Sequence, residues 1–170
     1  MSRHCLLLIA AWFLTPLLSG CAPGSQPPAD AFSGELGGCG DFFVYRTSKD
    51  RQWQLTVTLN RSALPDREIP DSLDITEDSR AVKVEVLRLS STSDLDPCDC
   101  EAGDPPIERW QAIAGTLTIK TEDVKKPHAD ENYRVSVQLE GLEVKHLETG
   151  ARSTLDPVEI NRVVVGWFAG

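Results

Sequence analysis

Three features of the sequence predict an all-β chain. Apolar and polar residues alternate with period two over stretches of strand length, no long run shows the i, i+3, i+4 spacing of an amphipathic helix, and turn-forming residues punctuate the alternation. The clearest strand covers residues 53–60, where Trp53, Leu55, Val57 and Leu59 alternate with Gln54, Thr56, Thr58 and Asn60. One face of such a strand is dry and the other wet.

The other elements follow in chain order. Residues 41–46 form the first expected strand, and the segment 53–60 the second, across the Ser48-Lys49-Asp50 turn. A weaker strand lies at 73–76 beyond the Leu64-Pro65-Asp66 turn. Val82, Val84 and Val86 alternate with Lys83 and Glu85, and a further strand runs over 112–120. Tyr133, Val135, Val137 and Leu139 alternate with Arg134, Ser136, Gln138 and Glu140, after which Leu142 and Val144 shift the apolar phase by one residue. A β-bulge at Glu140-Gly141 within one long, bent strand accommodates that shift, because glycine accepts the positive φ a bulge needs. Turns at Thr149-Gly150 and Asp156-Pro157 lead to a last strand over 159–168. Seven to eight short strands, each with one dry face, are satisfied by stacking two antiparallel sheets. The expected architecture is a two-sheet sandwich, immunoglobulin-like or related. An eight-stranded membrane barrel would need aromatic girdles, and the aromatic content is only 6%.

Ahead of the strands the chain has a different character. Arg3 precedes an apolar run of about 14 residues from Cys5 to Leu18. That run is too short for a ~30 Å hydrocarbon core, which needs about 20 residues, so it reads as a signal peptide over residues 1–20. Its end, Leu18-Ser19-Gly20-Cys21, resembles the lipobox of bacterial lipoprotein precursors. The resemblance covers residues 1–21 and implies cleavage before Cys21, lipidation of its thiol and acylation of its amino group. More than one acyl chain makes anchoring stable. Ala22, where the resemblance would place Asp for retention at an inner membrane, favours an outer membrane in a cell that has two. Residues 21–38 are rich in Pro, Gly and Ser and read as a tether, leaving 39–170 as the domain.

Composition narrows the partners. Loss of the leader removes one positive charge, Arg3, and takes the formal net charge from -9 to -10. An acidic body disfavours nucleic acid and anionic lipid surfaces, so attachment to a membrane falls to the acyl chains.

The cysteines are the most specific feature of the domain. With Cys5 in the leader and Cys21 lipidated, Cys39, Cys98 and Cys100 remain, and three thiols cannot all pair within one chain. A bridge from Cys39 to Cys98 or Cys100 would close a loop of about 60 residues, worth about 4 kcal/mol in the chain-entropy model. The alternative is a soft-metal or redox site at Cys98 and Cys100, supported by Asp94, Asp96 and Asp99 of the same acidic loop. Its carboxylate spacing is not that of an EF-hand.

No catalytic signature is found: the nucleophile elbow, zinc-protease, phosphate-loop and dinucleotide motifs are all missing, and no cofactor is implied. Trp53 and Trp167 sit at core positions of the alternation; Trp110, beside Glu108 and Arg109, reads as core ahead of binding but is the one to test as a candidate binding residue. The expected function is therefore that of a lipid-anchored envelope module, not an enzyme, meeting an envelope protein or glycan. The alternative is a small-ligand or metal carrier using the loop that starts at Cys98 and ends at Asp104.

Overall fold

The computed structural model describes residues 25–90, 97–98, 104–122 and 132–166. These residues are all-β, with two single-turn 3-10 helices, Arg61–Ala63 and Pro65–Arg67, as the helical content. Nine strands are present among them: β1 (Leu36–Cys39), β2 (Phe43–Thr47), β3 (Trp53–Leu59), β4 (Ser72–Thr76), β5 (Val82–Arg88), β6 (Glu108–Glu122), β7 (Tyr133–His146), β8 (Arg152–Thr154) and β9 (Val158–Val165). Every pairing is antiparallel. The two strands that alternation does not reveal are β1, Leu-Gly-Gly-Cys, and β8, Arg-Ser-Thr, because neither carries a periodic apolar face.

Instead of two separate sheets, the strands form one hydrogen-bonded sheet in the order β1-β2-β3-β5-β6-β7-β8, with β4 also on β6 and β9 also on β7. The reason is the length of β6 and β7, 15 and 14 residues. Each is long enough to serve both halves of the body. β5 pairs with the first part of β6 and β4 with the second, while β9 pairs with the first part of β7 and β8 with the last.

Between these halves both long strands bend at the same level. In β7 the buried positions step from Leu139 to Leu142 across the expected bulge, with Gly141 at φ +60°. In β6 they step from Ala112 to Leu117 past Gly115 at φ +139°, and the pairing register shifts between Ala112 and Thr116. A similar shift occurs in β9, where Arg162 at φ +56° lets Ile160 and Val163 both point inward.

The bend curls the sheet until its ends meet. β9 lies against β1 and β2. Gly40 N donates to Gly166 O at 2.9 Å, and the Arg46 guanidinium donates to the Glu159 carbonyl. One continuous core fills the interior, running from Val44, Leu55 and Val86 through Trp110 and Val144 to Leu117, Leu139 and Ile160.

The expected tether is corrected over residues 25–38. Phe32 is buried in the core, Gly34 N donates to Thr47 O at 2.8 Å, and β1 pairs with β2 from Leu36 onward. Burying one Phe side chain yields about 1.5–3 kcal/mol, enough to offset the backbone ordering of about one or two residues. The glycines that read as a linker serve close approach instead. A Cβ on Gly37 would meet the Tyr45 ring at 2.6 Å, and one on Gly38 would meet Phe43 O and a Val163 methyl at 2.8 Å.

Candidate functional site

A cluster of polar and aromatic side chains lies at one end of the sheet, where β3 and β6 begin and β5 and β7 end. Register places Trp53 opposite Arg88, Arg88 opposite Glu108, and Trp110 opposite His146. These side chains close the end of the core. Arg88 Nη1 donates to Glu108 Oε1 at 2.8 Å and also to Ser25 Oγ. Ser25 Oγ in turn donates to Glu108 Oε1 at 3.1 Å. The Arg88 guanidinium carbon stands 5.9 Å from the centre of the Trp53 ring, within cation–π range.

Behind this trio the Trp110 and His146 rings meet edge to face at 4.9 Å. His146 Nδ1 accepts the backbone N–H groups of Glu148 and Thr149 at 3.2 and 3.1 Å, which places the ring proton on Nε2. Burial acts most strongly on the Glu108 carboxyl and opposes its charge. Hydrogen bonds from Arg88 and Ser25, with the Arg88 charge, together outweigh it and hold the group below the ordinary glutamate value of 4.5. The Trp110 indole N–H adds a smaller contribution of the same sign without reaching hydrogen-bond geometry.

Chemically the cluster is a lock. A carboxylate held ionised by a guanidinium is a weak base, and the Ser25 hydroxyl between them already both donates and accepts. What the arrangement does is fasten the first described residue to the ends of β5 and β6. Nothing local in the sequence announces it, since Ser25 lies 63 residues from Arg88 and 83 from Glu108.

Elsewhere, open depressions among the described residues include two on the strand and turn surfaces. One, of about 240 Å³, lies over the outer face of β6, β7 and β9 and is lined by Thr118, Lys120, Ser136, Gln138, Glu159 and Asn161. The other, of about 450 Å³, lies between the 3-10 turns and β4, floored by Leu64 and Ile69 and edged by Asp66 and Asp71.

The residues singled out from the sequence are distributed as follows. Cys39 and Cys98 form a disulfide with a Cα–Cα distance of 5.8 Å, which resolves the pairing left open between Cys98 and Cys100. With its sulfur in that bond, Cys98 is not a free thiolate for a metal. Cys21, Cys100, Asp94, Asp96, Asp99 and Trp167 lie outside the described residues. Trp53 is core, and Trp110, the candidate binding residue, is 1% exposed and wholly interior, so its ring offers no face to a ligand. Among the described residues no group of three or more His, Cys, Asp or Glu is placed to hold a metal ion. No family model, curated protein or solved structure matches the chain.

Proposed function

We propose that the protein is a lipid-anchored lipoprotein of a bacterial cell envelope, acting as an interaction or structural module for an envelope protein or glycan. The observation that carries this reading is Leu18-Ser19-Gly20-Cys21 at the end of a short apolar leader. Ala22 after the cysteine favours the outer membrane where a cell has two. The depression over β6, β7 and β9 supports the interaction role. Its hydroxyl, amide, ammonium and carboxylate groups stand on paired strands, which fix their spacing for a polar, hydrogen-bonding partner.

Two measurements in cells test the reading. The wild-type chain is expected in the membrane fraction and the C21S variant in the soluble envelope fraction. Cross-linking in intact cells is expected to capture a reproducible partner, and to lose it in a variant carrying K120E and Q138A. A C21S chain that still fractionates with membranes contradicts the anchor. Wild-type protein that yields no reproducible adduct contradicts the interaction role.

A further inference from the structure

The anchor reading leaves open how far the body stands from the lipid, and the Ser25 lock bears directly on that distance. Ser25 is bonded to Arg88 and Glu108, Pro27 is buried, Ala29 O accepts the N–H of Asp156 at 3.1 Å, and Phe32 lies in the core. Packing is thus in place from Ser25 onward, the first described residue. Only Ala22, Pro23 and Gly24 separate it from Cys21. Four Cα steps reach at most about 14 Å, however they are arranged.

A lipidated Cys21 would sit where the acyl chains meet the headgroups. The headgroup layer itself is only about 5–8 Å deep on each face of a bilayer. The remaining reach is smaller than the ~10 Å spacing between two packed β-sheets. Ser25 is therefore held within about 9 Å of the headgroup surface.

That end presents the right chemistry for such contact. Ile107 and Leu147 are the most exposed large apolar side chains of the described body, at 52% and 51%. Both lie at this rim: Ile107 N donates to Arg88 O at 2.9 Å and Leu147 N to Arg109 O at 3.0 Å. Exposed Arg109 lies across from Leu147 and two residues after Ile107, and exposed Lys49 lies in the turn that leads into Trp53 at the same end. Exposed Asp50, Asp104 and Glu148 offset these cations, so a contact here draws on apolar insertion and the anchor more than on net charge. Meanwhile the disulfide holds Cys98 beside Cys39, whose register partner Phe43 stands opposite Thr58, at the other end of β3 from Trp53.

We propose that the body rests directly on the lipid surface with its Ser25 end down, Ile107 and Leu147 entering the interface and the β6, β7, β9 face held at a fixed angle to the membrane. The inference rests on acylation of Cys21. It replaces a swinging tether with an oriented platform, which would present the outer-face depression to the same side at all times.

The test uses the full-length lipidated protein in vesicles of phosphatidylethanolamine and phosphatidylglycerol whose acyl chains carry bromine. Variants I107W, L147W and V164W each add one indole, the last on β9 away from the proposed contact. Bromine is expected to quench the added fluorescence of I107W and L147W at least twofold and to leave that of V164W unchanged. A Gly-Ser spacer of about twenty residues after Gly24, with a root-mean-square span of about 25 Å, is expected to abolish most of the quenching. Equal quenching of all three variants, or none of any, overturns the orientation, and co-flotation with the vesicles shows in either case that the anchor itself stands. Protein that neither floats with the vesicles nor carries acyl chains removes the anchor, and the orientation falls with it.

Discussion

Replacing Glu108 with glutamine removes the charge that Arg88 and Ser25 are arranged to meet. The guanidinium is then left partly buried without its counter-ion, at an expected cost of about 1–3 kcal/mol in denaturant unfolding. The same group sets an acid limit. Because its folded pKa lies below the ordinary 4.5, its contribution is present above that value and is lost as pH falls through the folded one. The wild-type stability curve should therefore fall below about pH 4.5 more steeply than that of E108Q, and parallel curves would contradict the lock.

Tyr133 sets a limit at the other extreme. Burial pushes its phenol up to about 12, and its hydroxyl donates to Asp41 O at 2.5 Å. Between the ordinary value of 10 and that value the unfolded chain releases a proton the folded chain keeps, so stability falls as pH rises through this window. With only two tyrosines in the chain, Y45F leaves Tyr133 alone, and phenolate absorbance should appear well above pH 10. Neither residue's role was legible in the sequence. Tyr133 was readable as an inward position, but the contact of its hydroxyl with the turn after β1 depends on closure of the sheet.

At the scale of elements, β3, β5, β7 and β9 were legible because each keeps an apolar face for several residues. The bulge in β7 was legible for the same reason, since a phase shift beside a glycine has few other solutions. Its partner in β6 was not. Ala112, Ile113, Ala114 and Gly115 are too uniformly apolar or small to show a change of phase, so the bend there emerges only from pairing. The two glycines should differ on substitution. G141A meets nothing within 4 Å and carries only the backbone penalty of a positive φ, about 1 kcal/mol. G115A combines φ +139° with Glu140 O and a Leu142 methyl at 3.0 Å, so it should lower the melting temperature by clearly more than G141A. Equal shifts would contradict the tight crossing of β6 and β7.

Across the whole molecule, the sequence-based expectation of two stacked sheets and a tether captured the class and missed the continuity. One core, one curled sheet and an N-terminal segment packed from Ser25 make a body whose ends are fastened to its middle. The disulfide is a third fastening, spanning 59 residues and pinning β1, the edge strand with no apolar periodicity, to the segment after β5. In the chain-entropy model it contributes about 4 kcal/mol, so C39S should unfold at markedly lower denaturant than wild type, and reduction should bring wild type down to the same midpoint. A C39S chain as stable as the oxidised wild type would contradict this role.

The proposed function rests on one claim, that lipid on Cys21, four residues before the packed Ser25, holds the body at an envelope membrane. Intact mass of the mature chain purified from membranes tests this most directly. The expected result is a polypeptide that starts at Cys21 and carries the added mass of a diacylglyceryl group and a further acyl chain. A chain that starts elsewhere, or that starts at Cys21 with no added mass, would contradict it.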